Sequence, residues 1–287
     1  MKAKYMVILA MLGISVPLLA GDLTVDNLTV MEGAEFFGDI KSGEADSGLE
    51  LHFSFDSNAN PTPDDSGNGY LGTVNGATLT AESHSGNAYD FDGTNDYIET
   101  TGNLGITGGE PWTASCWVKY GTLHIYNNNE NIISFGQWGP SCQSMNIGMG
   151  NGNNLICLMA WGSYNESDID TGVDLSAGLA HIVATYDGTD ARLYANGILR
   201  RSKYIPYNLA PAPVRIGGKT AGYSGQYFDG IIDDVKVFSS ALTSNQVFSL
   251  YQTGHTPGGS YSIKQSTPVT NVLMGMVGIG TAEPVAP

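Results

Sequence analysis

Positive charge is scarce in this sequence: 12 Lys and Arg stand against 28 Asp and Glu, a formal net charge of −16 over 287 residues. A phosphate backbone is repelled by such a surface unless cations cluster, and here they are scattered, with only Arg200, Arg201 and Lys203 close together. Nucleic acid is thereby excluded as a partner. The acidity favours solubility, and part of it is available to calcium. Cysteine is nearly as scarce. Cys116, Cys142 and Cys157 are an odd number, so at most one intrachain disulfide forms in an oxidising compartment, with Cys142 and Cys157 the preferred pair. Cys116 alternates with Ala114 and Val118 in a strand-like run and has no His placed locally to activate it, which reads as a buried thiol rather than a nucleophile.

Long apolar runs are missing apart from Met6 to Leu19, which follows Lys2 and Lys4 and ends near Ala20. This run is too short for a comfortable membrane span, so residues 1–20 read as an export signal and no stable span remains once it is removed. Leu18 stands where cleavage prefers a small residue, which leaves an uncleaved anchor open, and the lack of a following cysteine argues against a simple lipid anchor. The expected location is secreted or cell-surface. Local catalytic signatures are absent as well: no Gly-x-Ser-x-Gly elbow, no His-Glu-x-x-His helix, no phosphate-cradling loop and no closely spaced Glu, Asp, Glu run. His52, His84, His124, His181 and His255 lie far apart, and His181, at the start of a strand, reads as structural. Only groups assembled in space could supply catalysis.

What the chain does have is turn chemistry, including 38 Gly. Residues 21–47 hold short alternating apolar pieces around Leu23, Val25, Leu28 and Val30, then a linker; they contain too little apolar surface to fold alone. Residues 48–253 are a succession of strand candidates separated by Gly, Asn, Asp and Ser, with no long amphipathic helix between them. That pattern predicts an all-β fold, a sandwich of two antiparallel sheets with alternate side chains facing inward. Asn196-Gly197 supplies the positive φ angles of a tight hairpin turn, and Asp187-Gly188 reads as another turn. One short helix is predicted from Thr243, where Thr243 and Gln246 have capping-box spacing. Residues 254–287 form a Gly, Ser and Thr-rich tail.

Four blocks, LELHFSFDSNANPTPDDSGNGYLGTVNGATL from Leu49, YDFDGTNDYI from Tyr89, AHIVATYDGTDARLYANG from Ala180 and FDGIIDDVKVFSSAL from Phe228, stand in an order and spacing similar to the laminin-G-like, concanavalin A-like jelly rolls of bacterial secreted and surface proteins. The resemblance covers roughly Gly48 to Gln252. It implies a jelly-roll sandwich and a recognition or adhesion module for glycan or extracellular protein. Within the blocks, Asp65-Ser66-Gly67-Asn68-Gly69 is an oxygen-rich turn. Period-2 alternation groups Asp233 with Ile231, Val235 and Val237, pointing a carboxylate inward if the valines are buried. With calcium sites common in similar jelly rolls, this leads to an expected structural Ca²⁺ held by some of Asp65, Asn68, Asp233 and Asp234. The alternative is that Asp65 caps its own turn and Asp233 accepts backbone hydrogen bonds. Asp90, Asp92 and Asp96 belong to a strand, turn and strand whose aromatics Tyr89, Phe91 and Tyr97 are expected in the core.

Between Gly121 and Gly172 the chain departs most from a spare pattern of this kind. A pyranose offers an apolar face for stacking and hydroxyls for amides, so Trp138, Trp161 and Tyr164, with Asn128 and Asn154 as polar partners, form the expected glycan-binding face. Equally, these aromatics could fill the space between sheets. A second function class is structural: GDLTVDNLTVMEGAEFFGDI resembles repeats of trimeric fibre shafts, and MVGIGTAEP is similar to segments of tail-fibre-like proteins, which implies a jelly-roll head on a homotrimer. A glycosidase-like enzyme is the third reading.

Overall fold

A computed structural model describes residues 40–41, 48–121, 130–139, 142–149, 155–161, 169–174, 178–220, 225–253 and 260–261. The chain divides into one unit of Ser47–Val247 and another of Met1–Asp46 with Phe248–Pro287. In the latter, β1 (Ile40–Lys41) pairs antiparallel with β17 (Ser260–Tyr261). Asn128, Asn154, Tyr164 and the export segment lie outside the described residues.

Alternate side chains face the core, two antiparallel sheets result, and the central strands are buried on their other side as well. One runs β11 (Ile169–Asp174), β10 (Leu155–Trp161), β9 (Ser144–Met149), β8 (Asn131–Gly136), β15 (Arg215–Ile216), β6 (Tyr97–Thr100), β3 (Gly72–Asn75). The other runs β14 (Ile198–Tyr204), β13 (Asp190–Ala195), β12 (Ala180–Tyr186), β7 (Trp112–Tyr120), β16 (Asp229–Phe238), β5 (Ala88–Asp92), β4 (Thr78–Thr80), with β2 (Leu49–Phe53) also paired to β16. The core is made by rows of facing residues. Val74, Ile98, Ile216, Ile133, Ile147 and Leu158 are consecutive cross-strand partners in the first sheet. Leu193, Ala184, Ala114, Val237 and Leu51 form the corresponding row in the second. All but the partly buried Val74 are fully buried. Such rows fix register, because a slip of one residue would turn every apolar side chain outward.

The predicted turn and helix are present. Asn196 and Gly197 take φ of 52° and 75° between β13 and β14. Helix α1 (Ser244–Thr253) opens with Gln246 N–H donating to Thr243 Oγ1 at 3.4 Å and Thr243 N–H donating to Gln246 Oε1 at 2.9 Å.

Three expectations are corrected. The register of β16 shifts between Asp233 and Lys236, and Asp234 takes φ of 46°. This bulge inverts the alternation, so Ile232, Val235 and Val237 face the core while Asp233, opposite Trp117, lies on the sheet's outer side. Second, Tyr89 and Phe91 are core residues, but Tyr97 is half-buried and alternates with the core residue Ile98. Third, Cys116, Cys142 and Cys157 are buried thiols with no disulfide among them. Cys157 is paired with Gly148, six positions along the chain from Cys142. At the rise of an extended strand this is on the order of 20 Å, against a bridging limit of about 7 Å between Cα atoms.

Candidate functional site

The acidic turn and the β16 bulge meet across β2. Asp64, rather than Asp65, organises the turn: its Oδ1 accepts His52 N–H at 3.0 Å and Ser66 N–H at 2.9 Å, and its Oδ2 accepts Tyr70 N–H at 3.1 Å. Asp65 Oδ2 accepts the Ser54 hydroxyl at 2.6 Å, and Asn68 donates from Nδ2 to Leu49 O at 2.8 Å. Asp233 is fully buried and accepts three backbone N–H groups, from His84 at 2.8 Å, Ser85 at 3.1 Å and Asp234 at 2.7 Å. Asp234 accepts His52 Nε2–H at 2.8 Å and faces the ammonium of the buried Lys236.

Burial pushes Asp233 up to about 6, although its three donors pull the other way. Burial also opposes ionisation of Asp234, but the His52 hydrogen bond and Lys236 outweigh it and hold Asp234 down to about 2. Calcium needs roughly six to eight oxygen ligands. Here the carboxylates of Asp65, Asp233 and Asp234 are turned to protein donors, and an ammonium already stands against Asp234. This donor set does not fit the ion, and among the described residues no group of three or more His, Cys, Asp and Glu is arranged to hold a metal. His84 is drawn into the same cluster, its ring stacked 3.6 Å from Trp117. His181, tilted against Trp117, is buried, and desolvation lowers it to about 3, consistent with a structural role.

The outer face of the first sheet has a different character. Next to the apolar core row runs a second row of direct cross-strand partners, Thr73, Glu99, Arg215, Ser134, Asn146 and Met159, of which Ser134, Asn146 and Met159 are buried. Arg215 Nε donates to Glu99 Oε2 at 2.9 Å, and its guanidinium lies 4.4 Å from the Tyr97 ring centroid. Tyr97 stacks with Tyr227 at 6.4 Å. The chain then turns tightly at Gly217, where φ is 77° and an added Cβ would come within 2.3 Å of the Phe91 ring. Arg215 Nη1 donates to Lys219 O at 3.1 Å across this turn. Lys219 is thereby carried to Trp138, with Nζ 3.8 Å from the ring centroid. Burial lowers the Lys219 ammonium to about 8. Trp138 follows the β8 end, where Thr220 Oγ1 donates to Gly136 O.

Of the expected ligand residues, Trp138 is 41% exposed, too open to be a core filler. Trp161 closes β10 with its backbone opposite Ser144, and its side chain lies outside the described set. Sequence reasoning missed Tyr97, Glu99, Arg215, Lys219 and Tyr227. The available signal was the alternation Tyr97, Ile98, Glu99, which puts the tyrosine on the carboxylate's side and not on the isoleucine's.

A family model described as the concanavalin A-like lectin/glucanases superfamily matches residues 92–248. Among solved structures, the chain is similar to domain 4 of AbnA, an extracellular arabinanase from Geobacillus stearothermophilus, solved in complex with arabinotriose. The identity is 24% and the TM-score 0.55, with 73% of this chain and 100% of that one covered. It is similar at 17% identity and a TM-score of 0.57 to the binding domain of Paraclostridial Mosquitocidal Protein 1, over 72% of this chain and 52% of that one. A Trypanosoma rangeli sialidase aligns at 14% identity and a TM-score of 0.56, over 72% of this chain and 33% of the enzyme. At these identities the likeness is one of fold. No curated protein matches the chain.

Proposed function

This chain belongs to the concanavalin A-like lectin/glucanase superfamily, and we propose that it is an exported, non-catalytic recognition module that binds glycan at the exposed indole of Trp138, just beyond the end of β8. The observation that carries this reading is Trp138, an exposed indole whose ring is braced by the Lys219 ammonium beside a polar cross-strand row. A braced ring is pre-organised for stacking on a sugar, and ordering is then not a cost of binding. The carboxylates near this site have structural work: Glu99 pairs with Arg215, and Glu130 accepts Asp229 N–H at 3.3 Å. That supports binding over glycosidic chemistry, which needs a carboxyl pair addressed to substrate. The jelly roll also carries a sugar in the AbnA domain solved with arabinotriose. In this reading the cation expected near Asp234 is supplied by Lys236 and no calcium is required.

The test is a glycan array probed with the full chain in calcium and in chelator, repeated with Trp138→Ala. Loss of an exposed stacking ring is expected to weaken binding about tenfold or more, about 1.4 kcal/mol, without change in melting temperature. Unaltered glycan binding by a folded Trp138→Ala variant would sink the site. A folded chain that binds no glycan would move the function to protein adhesion, and a trimer in sedimentation would favour the fibre-head alternative.

A further inference from the structure

The described basic side chains of the Ser47–Val247 unit fall into two groups. Lys119 pairs with Glu82, Arg192 with Asp187 and Asp190, Arg215 with Glu99 and Lys236 with Asp234, while Lys219 lies against Trp138. Arg200, Arg201 and Lys203 make no ion pair among the described residues, and all three lie on β14. This strand is the edge of the second sheet. Arg200 and Arg201 are exposed and Lys203 is half-buried. In a chain of net charge −16, it is the place where positive charge is concentrated and unneutralised.

The same strand carries three of the five exposed large apolar side chains among the described residues: Ile198 at 55%, Leu199 at 44% and Tyr204 at 63%. Register places Arg201 and Lys203 opposite Leu193 and Ala191 on one side, and Ser202 and Tyr204 opposite Arg192 and Asp190 on the other. Arg200 falls at the register shift between Leu193 and Tyr194. Cations two residues apart on one side of a strand stand about 7 Å apart, and Tyr204 belongs to the opposite side.

We infer that β14 is a second recognition surface, for an acidic polysaccharide whose carboxylate or sulfate groups meet Arg200, Arg201 and Lys203. This extends the glycan reading to a separate face and does not depend on Trp138. Edge protection alone asks for a charge or two to deter strand pairing. It gives no reason for three cations that form no ion pair among the described residues to stand within four positions of one edge strand. An acidic protein strand is the less suitable occupant, because the bulge twists the edge and the cations flank it, and both oppose strand addition. Across the sandwich edge lies β11, whose sequence includes Asp170 and Asp174, so the strip's field is local and short-ranged.

The experiment is retention of the full chain on immobilised polygalacturonate and dextran sulfate, with neutral arabinan and poly-glutamate as controls. Retention on the two acidic polysaccharides is expected at about 50 mM salt and its loss near 200 mM. The Arg200→Ser/Arg201→Ser/Lys203→Ser variant, with unchanged melting temperature, is expected to lose at least tenfold in affinity, and Tyr204→Ser, on the opposite side of the strand, to bind as the wild type does. Trp138→Ala is expected to bind acidic polysaccharide as the wild type does, which separates this inference from the first face. Dextran sulfate without polygalacturonate would place the recognition on sulfate, and the reverse on carboxylate. Flow-through of the wild type on both, equal retention of the triple variant, or retention on poly-glutamate alone would overturn the inference.

Discussion

Replacing Lys236 by Met keeps the length and most of the volume of the side chain while deleting its ammonium. Lys236 is 1% exposed and lies between His52 of β2 and Ser115 of β7 in a cross-strand row, with Asp234 as its partner. Removing one member of a buried pair leaves the other charge uncompensated, which costs about 3–5 kcal/mol. The Asp234 side chain is 14% exposed and keeps its His52 hydrogen bond, so the lower end applies, about 3 kcal/mol. Linkage gives a similar figure. Holding Asp234 at about 2, against an unfolded value near 3.9, contributes roughly 2–3 kcal/mol that is present above about pH 4 and lost as pH falls through 2. For a domain of this size, about 3 kcal/mol corresponds to a fall in Tm of roughly 6–12 °C. The assay is thermal unfolding of the full chain at neutral pH, with and without chelator and calcium. The wild type is expected to be indifferent to both additions, and Lys236→Met to melt lower, with part of the loss recovered in Lys236→Met/Asp234→Asn. A variant within about 2 °C of the wild type, or a wild type that chelator destabilises, would refute the assignment of Lys236 as the internal cation.

The remaining predictions concern pH and thiols. Asp233, raised to about 6, takes stability away as pH rises from about 4 to 6. His181, lowered to about 3, adds stability over the same interval because its unfolded form still binds a proton. The two oppose each other in the wild type, so His181→Gln is expected to uncover a decline of roughly 2–3 kcal/mol between pH 4 and 6, read from denaturant midpoints. A variant with a rising or flat profile would count against the buried ionisation of Asp233. Burial raises the Cys116 and Cys142 thiols, and the three cysteines are expected to resist a thiol reagent in the native state and to yield three equivalents on unfolding without reductant. Fewer than two would restore the disulfide.

The fold was legible because core-facing side chains in a sandwich recur every second residue, and Ala114, Cys116 and Val118 or Ile182 and Ala184 state that period without interruption. Local chemistry was equally readable at Asn196-Gly197 and at the Thr243 cap, where the residues that fix the backbone are adjacent or three apart. What failed was anything set by register between distant strands. The period-2 reading of β16 is broken by one positive-φ residue, Asp234, and neither Asp nor its neighbours announces such a bulge. The site near Trp138 was half visible. Trp138 attracts attention as a rare aromatic in a polar stretch, but the residues around it come from elsewhere: Arg215 and Lys219 from a short strand and turn, Glu99 and Tyr97 from β6.

The acidic junction makes the same point in energetic terms. From the sequence, an inward-pointing Asp233 requires compensation, and Asp233 is indeed buried. Calcium was one way to meet that need. The chain meets it with three backbone donors on Asp233, with the imidazole of His52, and with an ammonium two residues further along the same strand. In an unbroken strand Lys236 would share a face with Asp234 and leave Asp233 on the other. The bulge is what brings both carboxylates to the side where backbone donors, His52 and Lys236 await them. The irregularity that defeated the alternation argument is therefore also the device that lets this jelly roll hold its acidic pair on protein donors.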